Sequence, residues 1–147
     1  MDKKIALVTC YFQPNYGSQL QAFATQEAFE KLGLEHETIM IDGLLPEINK
    51  AKYKYFLSKI LDVNTVKDKM ATVRKLLAKK RNPEYARNLE VRYGMFRDFA
   101  SNMFTLSRRY DSKAQLGESA HAYAAFVVGS DQLWLPSNIA ADYYTLN

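Results

Sequence analysis

The sequence has no long hydrophobic run. None of its apolar stretches approaches the ~20 residues that a helix needs to span a bilayer. The charged residues after Met1 lead directly into a short strand-like run instead of the apolar core of a signal peptide. With 48% hydrophobic and 24% charged residues, the composition is that of a globular domain, and we expect a cytoplasmic protein.

Motifs that bind nucleotides or metals are also missing. Neither the GxxxxGKS/T loop nor the GxGxxG loop occurs, which argues against nucleotide hydrolysis and against a standard dinucleotide site. His36 and His121 have no Cys or acidic neighbour at metal-ligand spacing, so we expect no bound metal and no cofactor. The single cysteine, Cys10, cannot form an internal disulfide. A buried structural thiol is favoured over a nucleophile, because no residue nearby in sequence would activate it.

Positive charge is concentrated in one segment. Residues 50–81 contain eleven Lys or Arg and two Asp, so they carry +9, and the rest of the chain carries −5 of the total of +4. Apolar residues at helical spacing run through this segment, which favours a basic helical insertion with a solvated face. The alternative is contact with an anionic polymer, a phosphorylated substrate or the inner face of a membrane. No RNA-binding signature and no zinc pattern accompany these basic residues, and we expect no nucleic-acid partner.

The first forty residues have the pattern of a βαβ unit. Residues 5–9 are apolar and β-branched, as in a central strand that is buried on both faces. A turn with Pro14 and Gly17 follows, and residues 19–32 have helical periodicity, with Ser18 as the expected N-cap and Gly33 as the stop. Residues 36–41 then predict a second strand, parallel to the first.

The remaining pattern is mostly helical. Residues 51–81 predict one or two helices, after a turn at residues 44–46. A helix is predicted over residues 84–103, and residues 107–119 predict a polar loop with one short turn around residues 114–116. Residues 122–128 predict a third strand. The fold class is therefore α/β, with a partial Rossmann-like parallel sheet of about three strands and flanking helices.

Two polar stretches follow predicted strands, where α/β proteins usually bind ligands. In each of them, the side chains and glycine backbone can bind hydroxyls or phosphates, or can simply cap a helix or turn. The candidate binding residues are Asn15, Tyr16, Gly17, Ser18, Gln19, Gly129, Ser130, Gln132 and Trp134. Asp131 is the candidate general base, because a carboxylate at a strand end is placed to accept a proton from a hydroxyl. Its alternative role is to cap the next turn.

Three stretches together resemble a known family. NYGSQLQAFATQEAFEKLG, RYGMFRDFASNMFTLSRRY and YAAFVVGSDQLW occur in this order, and the combination is similar to the amino-terminal part of the polysaccharide pyruvyl transferase family. The resemblance covers nearly the whole chain. Residues 51–81 are its least characteristic part.

The resemblance implies a GT-B-like enzyme of two Rossmann-like domains in cell-surface polysaccharide biosynthesis. Such an enzyme transfers a pyruvyl group from phosphoenolpyruvate to two hydroxyls of one sugar, forming a ketal and releasing phosphate. By this analogy, the amino-terminal half faces the sugar or polysaccharide acceptor, and the anion-binding groups for the donor lie downstream.

Family members are much longer than this chain. We therefore expect residues 1–147 to be an incomplete amino-terminal domain without its carboxyl-terminal domain, with little transferase activity alone. The alternatives are a non-catalytic saccharide-binding or scaffold remnant and one subunit of a split enzyme, in which a second chain supplies the missing half.

Overall fold

A small parallel sheet lies at the centre of the protein. The computed structural model of the chain describes residues 3–59, 77–78, 81–129 and 131–139. The sheet consists of β1 (Lys4–Val8), β2 (His36–Thr38) and β3 (Tyr123–Val128). Its strand order is β2-β1-β3, and both pairings are parallel. The α/β class and the three-stranded parallel sheet are confirmed.

The central position of β1 follows from its composition. Ala6, Leu7 and Val8 are completely buried, and the strand is hydrogen-bonded on both edges. A strand covered on both faces and both edges needs apolar side chains throughout, which is the pattern that residues 5–9 show. β1 therefore fixes the positions of the two other strands.

Helices flank the sheet. The α-helices are α1 (Tyr16–Lys31), α2 (Leu45–Ser58), α3 (Pro83–Met103), α4 (Lys113–Glu118) and α5 (Pro136–Ile139). Two short 3₁₀ helices, η1 (Ala120–Ala122) and η2 (Asp131–Trp134), lie on either side of β3. Most of the predicted basic helical insertion after Lys59 lies outside the described residues. None of the helices within the described ranges is long and apolar enough to cross a membrane.

Helix α1 begins earlier than predicted. Its N-cap is Asn15, whose Oδ1 accepts a hydrogen bond from the Ser18 backbone N–H at 3.2 Å, so Ser18 is a helical residue and not the cap. The helix ends as predicted, because Gly33 adopts a φ of +68° that few other residues tolerate.

The buried face of α1 is partly polar, and not all of its regularly spaced apolar residues are buried: Ala22 lies in the core and Phe23 packs against it. Leu20 and Leu32 are exposed, whereas Gln19 and Gln26 are buried. The Gln26 Nε2 donates to the Met103 carbonyl at 2.9 Å, and its Oε1 accepts from the Thr105 N–H at 3.0 Å. Because these hydrogen bonds satisfy the amide, a glutamine can be buried where periodicity predicts a leucine.

Two further predicted boundaries are wrong. α2 begins at Leu45, and Pro46 lies in its first turn, where the missing N–H of proline has no helical partner to lose. β2 ends at Thr38 instead of residue 41, although Ile39 and Ile41 are buried. At Thr38, the chain also forms an isolated parallel bridge with Leu106. The last hydrogen bond toward β1 is donated by the Ile39 N–H to the Leu7 carbonyl at 2.9 Å.

Helix α3 is close to its prediction. Asn82 caps it through a 3.0 Å hydrogen bond from the Tyr85 N–H, and it ends at Met103. Its carboxyl-terminal half packs into the protein through Phe96 and Ala100, whereas Tyr85 near its start is exposed. α3 thus contributes to the core over half of its length.

Candidate functional site

The loops after β1 and β3 leave the same edge of the sheet. Val8 and Val128 are paired in register, and the Gly129 N–H donates to the Val8 carbonyl at 3.1 Å. The two polar stretches therefore follow neighbouring strands at one carboxyl-terminal edge. In parallel sheets, this edge is where ligands bind.

In the first stretch, three side chains have structural roles. Asn15 caps α1, and Ser18 is buried inside the helix. The Gln19 Nε2 donates to the Tyr11 carbonyl at 2.9 Å and to the Phe96 carbonyl at 3.0 Å. Gln19 thus joins the loop after β1 to α3, whereas Gln26, two turns later, bonds only to the end of α3 and to the segment after it. The side-chain amides of Asn15 and Gln19 already make hydrogen bonds within the protein, which favours a structural role over ligand binding for these residues.

Tyr16 and Gly17 remain at the surface. Tyr16 is 66% exposed, and its ring lies 4.8 Å from that of Phe96. Gly17 does not have a positive φ, so the unusual conformation considered for it does not occur. A Cβ at Gly17 would lie 3.3 Å from the Asn15 Oδ1, which makes the glycine favourable for the cap.

The second stretch is only partly described. Ser130 lies outside the described residues, and Asp131 and Gln132 are described only as part of η2. Their predicted roles stay predictions. Gly129 is packed against α1, because a Cβ there would lie 2.7 Å from the Gln21 Nε2.

Trp134 is exposed, at 56% of its surface, while its neighbour Leu133 is fully buried. An exposed indole one turn after a strand end offers an apolar face to a sugar ring and an N–H donor to a hydroxyl. Leu133 anchors η2 in the core and so holds Trp134 at the edge.

Two polar atoms near this edge have no hydrogen-bond partner in the described part of the chain. They are the Oγ1 of Thr9, directly after β1, and the Oε1 of Gln21, on α1. Thr9 is only 1% exposed. A buried polar atom without a partner is unusual in a native protein and calls for an explanation, of which a bound water or ion is one. Sequence patterns do not distinguish Gln21 from Gln19, because the difference depends on which amide reaches a backbone carbonyl.

A half-buried lysine also lies in this region. Burial lowers the pKa of Lys52 on α2, and the nearby Cys10 acts in the opposite direction. Cys10 follows Thr9 at the end of β1 and is buried. The sequence predicted that Lys52 lies on the solvated face of a basic helix. The structure instead places it partly buried near Cys10, because α2 packs close to the end of β1.

Metal-binding clusters are not evident in the ranges that the structure describes: no three or more His, Cys, Asp or Glu side chains come together there. The residues at the sheet edge are amides, hydroxyls, an indole and a lysine. Such groups bind hydroxyls and anions.

A second polar cluster lies at the opposite, amino-terminal edge. The Tyr123 hydroxyl donates to the Glu37 Oε1 at 2.5 Å and accepts from the Tyr110 hydroxyl at 2.9 Å. The other Glu37 oxygen pairs with the Lys4 ammonium at 3.1 Å. Burial raises the pKa of Tyr123, and the hydrogen bond to Glu37 raises it further. The cluster joins all three strands and is far from the candidate site along the strand direction.

Removal of the central hydroxyl of this cluster should destabilise the fold. We expect Tyr123→Phe to lower the free energy of unfolding by about 1–3 kcal/mol, because Glu37 and Tyr110 both lose a partner. Urea denaturation measures the change. Tyr53→Phe is the control, since Tyr53 is 65% exposed, and its effect should stay within about 0.5 kcal/mol. Equal effects for the two variants would contradict the structural role of the cluster.

Comparison of the chain with protein-family models, with curated proteins and with solved structures finds no match.

Proposed function

We propose that this chain is the acceptor-binding part of a pyruvyl transferase similar to the polysaccharide pyruvyl transferase family. In this proposal, the sheet belongs to the amino-terminal domain of a GT-B-like enzyme. A second domain or chain binds phosphoenolpyruvate, and the sugar acceptor binds at the carboxyl-terminal sheet edge. The supporting observation is the pairing of Val8 with Val128, which brings the two polar stretches to one edge.

The proposed chemistry assigns each group a task. A general acid of the donor-binding part protonates the enol carbon of phosphoenolpyruvate, which produces an oxocarbenium-like centre, and one sugar hydroxyl adds to it as it loses its proton. Phosphate then leaves, and the second hydroxyl of the same sugar closes the ketal as it loses its own proton. Of these two hydroxyl protons, one replaces the proton given to the enol carbon and the other leaves with phosphate. Asp131 accepts a hydroxyl proton as general base, while Gln21 and Trp134 orient the sugar. Lys52 adds positive charge near the end of β1.

One feature favours the alternative of a subunit in a split enzyme. In the described part of the sheet, β3 pairs only with β1, and Ala124 and Ala125 are exposed. An open strand edge is a template for a further strand, which a second chain can supply. Phosphate release that requires a second polypeptide would favour this arrangement over a single-chain enzyme. Saccharide binding without phosphate release in any mixture would favour a non-catalytic binding module.

The acceptor site can be tested by saccharide binding. A glycan array identifies an oligosaccharide that binds, and NMR amide shifts locate it on the ¹⁵N-labelled chain. The proposal expects shifts at Gly129 and Gln21. Shifts confined to other surfaces, or no binding oligosaccharide, would contradict it.

The contact between Gly129 and Gln21 gives a sharper test. Gly129→Ala places a methyl group 2.7 Å from the Gln21 Nε2, so the amide must turn away. We expect about tenfold weaker saccharide binding, an effect comparable to the loss of one hydrogen-bonded group. Gln21→Ala should weaken binding similarly, and the double variant should be no weaker than either, because both changes remove the same group.

Gly117→Ala is the matched control for this pair. A Cβ at Gly117 has no heavy atom within 4 Å, and α4 lies away from the edge residues. Its saccharide affinity should equal that of the unchanged chain. If Gln21→Ala binds as tightly as Gly117→Ala, Gln21 does not contact the acceptor.

A further inference from the structure

A cleft lies between α1 and α3, on the outer side of these helices. The two helices run in the same direction, since Gln19 bonds to the Phe96 carbonyl and Gln26 to the Met103 carbonyl. The cleft has a volume of about 390 Å³, which is within the range of small-molecule pockets. It shares only Tyr16 and Gln19 with the predicted site residues.

The walls of the cleft are apolar and open to solvent. Leu20 is 58% exposed, Val91 58% and Met95 68%. They form two facing rows, with Tyr16 and Leu20 on α1 and Val91 and Met95 on α3. Exposed apolar groups gathered in one concave place indicate a binding surface, unlike single exposed leucines.

One cation lies at this cleft. The Arg92 guanidinium is 5.9 Å from the centre of the Tyr16 ring and 5.6 Å from that of Phe96. Arg92 has no ion pair among the residues that the structure describes, in contrast to Arg97, which pairs with Glu90 at 3.3 Å. Two aromatic faces thus position a guanidinium whose donors remain available for an anion.

We propose that the cleft binds a small amphiphilic anion. The apolar chain or ring of the ligand lies between Leu20, Val91 and Met95, and its carboxylate, sulfonate or phosphate group pairs with Arg92. An anionic amphiphile fits the cleft better than a neutral lipid or a cationic amphiphile, because the walls are apolar and the one charged side chain among the described residues that line them, Arg92, is positive. The site is independent of the proposed transferase function.

Decanoate is a suitable probe, used below its micelle concentration. Isothermal titration of the chain should give saturable binding. Octanoate, which is two methylenes shorter, should bind roughly fifteenfold more weakly, because each buried methylene contributes about fourfold in affinity. Arg92→Gln should weaken decanoate binding about tenfold and leave the binding of 1-decanol unchanged. Arg87→Gln is the matched control, since Arg87 is an exposed arginine on the same helix outside the cleft.

Specific results would overturn the proposal. They include no saturable decanoate binding, equal weakening by Arg92→Gln and Arg87→Gln, and decanoate binding that Met95→Glu leaves unchanged. A dimer in sedimentation that Met95→Glu dissociates would assign the cleft to a second copy of the chain instead. Each of these failures leaves the saccharide test at Gly129 and Gln21 unaffected, so the two proposals fail separately.

Discussion

Gly43→Ala is expected to destabilise the protein by about 3 kcal/mol, at the upper end of what overpacking costs. A Cβ at Gly43 would lie 2.0 Å from the Tyr110 carbonyl oxygen and 2.8 Å from its carbonyl carbon. Both are backbone atoms, so no side-chain rotation can relieve the contact. The turn after β2 and the segment that contains Tyr110 must separate, and the core around Tyr110 opens.

The same substitution at Gly94 provides the control. Gly94 lies within α3, and a Cβ there has no heavy atom within 4 Å. Gly94→Ala should raise stability by about 0.5–1 kcal/mol, because alanine restricts the unfolded chain and favours the helix. Urea denaturation of both variants should therefore give shifts of opposite sign. A Gly43→Ala variant within 0.5 kcal/mol of the unchanged chain would disprove the close approach of the two segments.

The sequence does not indicate the importance of Gly43. Gly43 lies in a turn, where glycine is ordinary, and its constraint comes from Tyr110, far along the chain. The predictable elements were those with a strong local pattern, such as the continuous apolar run of β1 and the capped helix α3. Local patterns carry no information about which distant backbone approaches a given residue.

Helix α1 shows a second limit of sequence reasoning. Its periodicity predicted a helix, but Leu20 is exposed, whereas Gln19 and Gln26 are buried, because the carbonyls of Phe96 and Met103 in α3 accept hydrogen bonds from their amides. The helix itself was predictable and its orientation was not. The displaced Leu20 then becomes a wall of the cleft with Arg92.

The candidate site was predictable in position. Parallel strands have their carboxyl ends at one edge of the sheet, which makes a shared site natural. The sequence does not establish that β1 and β3 are neighbours, and the pairing of Val8 with Val128 shows that they are. The roles of single residues were not predictable in this way. Asn15 and Gln19 are structural, whereas Gln21 lies against Gly129 and its Oε1 has no hydrogen-bond partner among the described residues.

Asp131→Asn should reduce transferase activity by roughly 10²-fold to 10⁴-fold if Asp131 is the general base. Asparagine keeps the size and a hydrogen-bonding oxygen but cannot accept the proton from the sugar hydroxyl. The measurement is phosphate release from phosphoenolpyruvate with an oligosaccharide acceptor, in the enzyme that contains this chain together with a donor-binding domain.

Two comparisons make the Asp131 result specific. Asp111→Asn is the matched control, because Asp111 is an exposed carboxylate that pairs with Arg109 at 2.7 Å, and its activity should be unchanged. Saccharide affinity should survive Asp131→Asn, because a base contributes to the reaction more than to ground-state binding. Activity within a few-fold of the unchanged enzyme would assign Asp131 to capping η2. Loss of saccharide binding together with activity would instead make it an acceptor ligand, so the kcat and affinity measurements separate all three roles.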